Sequence, residues 1–178
     1  MKKIIVIILF LVFNSTISYP QLRERDNIIG GSLGISTGPG TPTFGFNYEN
    51  QVTALGDVAL LGLGAVLRYT SWKDNFPYSD YYSYNYLTIG GQVNANFNNL
   101  GDGKFVPFIG LVLGYNNVNN SYVSNRGTVY TASYSSGLWL WGQLGLRYFF
   151  SPGVAGGIRL GAGNFNFNSL ELSVDFKL

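Results

Sequence analysis

The final ten residues alternate without a break. Leu170, Leu172, Val174, Phe176 and Leu178 interleave with Ser169, Glu171, Ser173, Asp175 and Lys177. Successive side chains of an extended strand point to opposite faces, so the segment has one wholly apolar face and one wholly polar face. The period of two returns in Leu138–Phe150, where Leu138, Leu140, Leu144, Leu146 and Tyr148 oppose Trp139, Trp141, Gln143, Gly145 and Arg147. In Val154–Gly163, Val154, Ile158, Leu160 and Ala162 oppose Ala155, Gly157, Arg159 and Gly161. Upstream, Ile28–Thr37, Thr43–Glu49, Asp57–Lys73, Ser83–Phe97 and Phe105–Val118 complete a set of eight predicted strands, and no long run of period 3.6 competes with them.

The connections fall into two groups. Tyr48–Gly56, Asn98–Lys104 and Ser151–Gly153 lie on one side, and Gly38–Pro42, Asp74–Tyr82, Asn119–Thr131 and Asn164–Asn168 lie on the other. The second group holds the two longest loops, which marks an outer face, and an even strand number returns both termini to the inner side.

Before the first strand, Lys2 and Lys3 precede ten apolar residues, Ile4 to Phe13, followed by the polar Asn14–Tyr19. That run is shorter than the about 17–25 residues of a spanning helix and has the form of an export signal. Residues 1–18 are therefore expected to be cleaved near Ser18, leaving residues 19–178 as one domain. Loss of Lys2 and Lys3 equalises basic and acidic counts that stand at 11 and 9 in the whole chain, so nothing in the net charge points to nucleic acid. Cysteine and histidine are both absent. Disulfides, a zinc site and every mechanism with imidazole as general base are excluded, and no cofactor or metal is expected. Asp74 and Asp80 are too few to supply the about six to eight oxygens of a calcium site. An acid-only mechanism through Glu171 and Asp175 is all that remains for catalysis, and the expectation is that the chain is not an enzyme.

A soluble barrel turns its apolar faces inward, whereas a membrane barrel turns them to lipid and fills its lumen with the polar ones. Charge separates the two cases. Only 11 % of the residues are Asp, Glu, Lys or Arg, against ~25 % in soluble domains, too few to coat a soluble exterior. Gly62, Gly64, Arg68, Gln92, Asn94, Asn96, Gly145, Arg147, Gly157, Arg159 and Gly161 are therefore expected inside. Eight strands leave little more room than their own side chains fill, and an isolated buried ion is very costly. Glu49, Glu171 and Asp175 are accordingly expected to pair with Arg68, Arg147, Arg159 and Lys177 in a structural network that plugs the lumen. Facing lipid at the midplane, each arginine would cost about 2–4 kcal/mol. The expected fold class is all-β, an eight-stranded antiparallel up-and-down transmembrane barrel in contact with outer-membrane lipid. A narrow channel or carrier for small or hydrophobic solutes, and a soluble lipocalin-like binding barrel, are the alternatives.

Aromatic residues support the same placement. Tyr48, Tyr69, Phe97, Phe105, Tyr115, Tyr148, Phe150 and Phe176 fall near strand ends, where interfacial girdles belong. Tyr84, Tyr86, Trp139 and Trp141 would point inward near the outer mouth, either packed over lumen glycines such as Gly62 and Gly114 or lining a small apolar pocket. Phe76, Tyr78, Tyr81, Tyr82 and Tyr122 are expected in outer loops, as anchors for a surface ligand of unknown identity or as headgroup-level tyrosines. Gly62-Leu63-Gly64 and Gly161-Ala162-Gly163 lack the further glycine and the helix of a dinucleotide site and are read as lumen positions.

The block Gly142–Gly153 (GQLGLRYFFSPG) and the closing Leu170–Leu178 (LELSVDFKL) resemble the small eight-stranded outer-membrane β-barrel proteins, of the size of OmpX and of the OmpA transmembrane domain. They are similar to the generic outer-membrane β-barrel domain common in Bacteroidetes-like bacteria. The resemblance implies a bacterial outer-membrane location and a last strand read by the barrel-assembly machinery. In the family that strand usually ends in an aromatic residue; here it ends on Leu178, with Phe176 two residues earlier on the same face.

Overall fold

The structure is a computed structural model that describes residues 22–36, 41–75, 81–98, 103–123, 129–132, 136–164 and 169–178. The expected export signal lies outside them. Eight strands form a closed antiparallel barrel: β1 (Asn27–Ser36), β2 (Pro42–Leu55), β3 (Ala59–Asn75), β4 (Tyr81–Phe97), β5 (Phe105–Val123), β7 (Gly137–Ser151), β8 (Val154–Gly163) and β9 (Ser169–Lys177). A short β6 (Val129–Ala132) stands outside the ring and pairs with the far end of β5, from Asn120↔Ala132 to Val123↔Val129. Each barrel strand pairs with its neighbour in sequence, and β1 pairs with β9 from Ile28↔Lys177 to Ser36↔Ser169. Closure leaves the ring no unpaired strand edge, the condition for crossing a bilayer with β-structure.

Two differences from the sequence reading have physical causes. β2 does not stop at Glu49 but runs to Leu55, through an irregularity between Gln51 and Thr53 that leaves Val52 unpaired. The alternation of buried and outward residues continues through Gln51 and Val52, but Asn50 puts a polar residue on the outward face, so the pattern reads as a turn although the ladder continues. The turn itself is placed at Gly56, with φ 61°, a conformation that glycine adopts without Cβ strain. β5 likewise extends to Val123, and β6 overlaps the end of what reads as the Asn119–Thr131 loop. Asn116, Asn117, Asn119 and Asn120 have poor strand propensity, but β4 supplies the hydrogen-bonding partner, as in Asn85↔Asn119.

The faces are sharply divided. Leu172 is 64 % exposed, while Glu171 beside it is fully buried. Leu33, Ile89, Ile109, Leu111, Leu113 and Leu144 are more than half exposed as well. An apolar exterior around a charged interior inverts the pattern of a water-soluble domain, and lipid is the solvent that makes it favourable. Residues 22–26 precede β1 and cross the inner mouth. Leu22 is buried with Ile28, Leu60, Val106, Phe149 and Ala155, its carbonyl accepts from Asn98 Nδ2 at 2.7 Å, and Arg25 N donates to the Gln51 carbonyl at 2.6 Å.

Candidate functional site

The interior is filled in layers. Above the apolar inner end, parity of β2, β3, β7, β8 and β9 directs Glu49, Arg68, Arg147, Arg159, Glu171 and Asp175 to the axis, all of them buried. Arg147 bridges two acids: Nη2 donates to Glu49 Oε2 at 2.7 Å and Nε donates to Asp175 Oδ2 at 3.1 Å. Its Nη1 donates to Asn96 Oδ1 at 2.7 Å. Arg68 Nε donates to Glu171 Oε1 at 2.8 Å, and Arg159 Nη1 lies 3.6 Å from Glu171 Oε2. Asn47 Oδ1 accepts from both of these arginines, at 2.8 Å and 2.6 Å. Three acids face three bases, so the layer carries no net charge.

Amides complete the set. Glu49 accepts from Asn94 at 2.8 Å, Asn96 at 2.6 Å and Gln51 at 2.9 Å, and Gln143 Nε2 donates to Asn94 Oδ1 at 2.7 Å and Gln92 Oε1 at 3.0 Å. The guanidinium carbons of Arg147 and Arg159 lie 4.5 Å and 5.4 Å from the Phe108 ring centroid, where the ring face favours cations. Lys177, grouped by sequence with the other bases, sits instead at the inner rim, 3.3 Å from Asp26 and only partly buried. Its position as the last strand residue puts it beyond the buried layer.

Toward the outer end, Trp139 and Trp141 stack at 5.3 Å between centroids and are buried with Val66 and Val112. Trp141 lies over Gly161, where a Cβ would strike its indole, and Arg68 stands 5.7 Å from its ring. Gly62 plays another part than the one expected: a Cβ there would meet the Glu49 side chain, and one at Gly114 would meet the backbone of Ile89 and Gly90. Tyr84 and Tyr86 are half-buried. They stack on Trp72, at 4.7 Å and 5.0 Å.

The expected loop aromatics are redistributed by the longer strands. Tyr81 and Tyr82 begin β4 and Tyr122 lies in β5, all partly buried. Tyr82 meets Tyr122 at 4.9 Å, and Lys73 Nζ lies 5.0 Å from the Tyr81 ring. Phe76 and Tyr78 lie outside the described residues. Phe176 and Leu178 are exposed on the apolar face of the last strand, at 48 % and 74 %.

Sequence reading passed over Asn47, Gln51, Phe108, Trp72, Asp26 and Leu22. Parity alone would have found Phe108, in step with Gly110, and Trp72, in step with Arg68. Asn47 and Gln51 are in step with Glu49, Gln51 lying just past the predicted strand end, and the Leu22 and Asp26 contacts join segments that no local pattern relates.

No protein-family model matches the sequence, and no curated protein matches it significantly. Solved structures do. A de novo designed transmembrane β-barrel is similar with a TM-score of 0.55 at 14 % identity, over 89 % of this chain and 99 % of that one. The N-terminal β-barrel domain of Pseudomonas aeruginosa OprF gives 0.56 at 13 % identity, over 87 % and 98 %. The attachment invasion locus protein Ail of Yersinia pestis gives 0.55 at 10 % identity, over 86 % and 96 %. The chain has the fold of the small eight-stranded outer-membrane β-barrels.

Proposed function

We propose that this protein is an exported barrel of the bacterial outer membrane whose lumen is plugged by its own side chains, and that its role is structural or one of surface interaction, through its extracellular loops and its lipid surface, rather than conducting solutes or catalysis. The observation that carries the reading is Arg147 tied to Glu49 on one side and Asp175 on the other, at 2.7 Å and 3.1 Å, in the middle of the bore. An ion or solute passing through would have to break those pairs, and opening a buried pair leaves an uncompensated charge at about 3–5 kcal/mol. The two acids available for catalysis are both engaged. Glu171 Oε1 accepts from Arg68 and Ser169 while Oε2 accepts from Ser32, and Asp175 Oδ2 accepts from Arg147. Residues 1–18 serve as the export signal in this reading, and the alternating last strand, ending on Phe176 and Leu178, is what the barrel-assembly machinery engages.

The test is to refold residues 19–178 into vesicles and record from planar bilayers. A band that shifts on heating in unboiled detergent gels, with no steady conductance, is the expected result. Stable ion steps would refute the plug and favour a narrow channel, and a monodisperse folded protein in plain buffer would refute the membrane reading altogether.

A further inference from the structure

The outward faces of β3, β4 and β5 change character along their length. The cross-strand row Leu67–Ile89–Tyr115 is apolar, the next, Tyr69–Leu87–Asn117, is mixed, and the rows beyond it are Ser71–Asn85–Asn119 and Lys73–Ser83–Ser121. Of the aromatic residues of the same stretch, Tyr81 keeps the outward parity, while Trp72, Tyr82, Tyr84, Tyr86 and Tyr122 take the opposite one and contact one another ring to ring. These strands have 17, 17 and 19 residues, against 10 in β8 and 9 in β9. The three strands thus rise beyond the apolar band, and the face that met acyl chains below becomes one of amides and hydroxyls above.

We propose that this amide and hydroxyl face, Ser71, Ser83, Asn85, Asn117, Asn119 and Ser121, is a contact surface for the uncharged sugar headgroups of surrounding lipid. It continues the lipid-facing band without a break, and the girdle ring Tyr69 hydrogen-bonds through its hydroxyl to Asn85 Oδ1 at 3.2 Å across the boundary. A sheet face needing only hydration would carry the roughly 25–35 % charged residues of an ordinary soluble surface. Among the described residues of this face only Lys73 is charged, and it is held against Tyr81. Phosphate headgroups are recognised by clustered Lys and Arg. Asn and Ser instead offer donors and acceptors together, as sugar hydroxyls do.

The proposal rests on the barrel being embedded in lipid, and one experiment separates the two. The refolded chain, residues 19–178, in phosphatidylcholine vesicles is probed by electron spin resonance with chain-labelled lipids bearing digalactosyl, choline or phosphoglycerol headgroups. Motionally restricted lipid of any headgroup reports the embedding. An association constant about twofold higher for the digalactosyl lipid than for the choline lipid, the yield of one modest hydrogen bond, and parity between them in a Ser71→Ala/Asn85→Ala/Asn119→Ala variant, are the expected results. Equal association in the wild type, a digalactosyl preference that survives the triple substitution, or a phosphoglycerol preference abolished by Lys73→Ala would each overturn the proposal. The absence of any restricted lipid would overturn the embedding and the proposal with it.

Discussion

Replacing Glu49 with leucine is the most demanding test of the buried layer. The substitution removes the acceptor of four donors at once: Arg147 Nη2 at 2.7 Å, Asn96 at 2.6 Å, Asn94 at 2.8 Å and Gln51 at 2.9 Å. Arg147 keeps Asp175 and Asn96, but the layer changes from three acids and three bases to two acids and three bases. Breaking a buried pair costs about 3–5 kcal/mol, and stranded amide donors cost about 1–3 kcal/mol each unless they find new partners. These terms overlap, since Gln51 and Asn96 also bond each other at 3.0 Å. A loss of about 4 kcal/mol is the working figure, read by equilibrium urea unfolding in vesicles. Glu49→Leu combined with Arg147→Leu should recover part of that loss, because the unpaired cation goes with it, giving a coupling of about 2 kcal/mol in a double-mutant cycle. A Glu49→Leu loss below about 1 kcal/mol, the range of an exposed ion pair, would mean that water reaches and screens the layer and that the lumen is not dry.

Further expectations concern the other layers. Gly161→Val should displace Trp141 from its seat, destabilise the barrel by about 1–3 kcal/mol through overpacking, and shift tryptophan emission to longer wavelength; unchanged emission would place the indole elsewhere. Leu111→Arg, on the 57 % exposed outer face, should cost about 2–4 kcal/mol in bilayers, and a neutral result would mean that this face does not meet lipid. Leu22→Ala should loosen the inner cap by about 2–4 kcal/mol and raise hydrogen exchange at Arg25, whose amide bonds the Gln51 carbonyl. Exchange as slow as wild type would show that the cap holds without the leucine.

Alternation made much of this molecule legible in advance. Leu170 to Leu178 fixes one face, and with it the inward direction of Glu171 and Asp175, because a strand offers a side chain only two directions. Arg68, Arg147 and Arg159 follow by the same parity. Where the reading stops short, the cause is local: the predicted strand ends at Glu49, which leaves Gln51, of the same parity, outside it. The asparagines of β5 mislead in a different way, since their intrinsic preference is for turns and it is pairing with the neighbouring strands, β4 above all, that makes a strand of the segment. Which acid meets which base was beyond parity. Lys177 and Asp175 share a face, yet one meets Asp26 at the rim and the other Arg147 in the bore, a distinction set by height along the axis.

The seam between β1 and β9 sets a schedule for biogenesis. Nine consecutive pairs join β1 to β9, Ile28↔Lys177 through Ser36↔Ser169, so the ring cannot shut until β9 has been delivered. Arg68 and Arg159 wait for the same event, because β9 brings Glu171 to both of them, whereas Arg147 already has Glu49 of β2. Until then the half-made cylinder has both a raw strand edge and unneutralised guanidinium groups. Contacts so distant along the chain form slowly, and an unfinished barrel therefore keeps its edge open until β9 docks on β1.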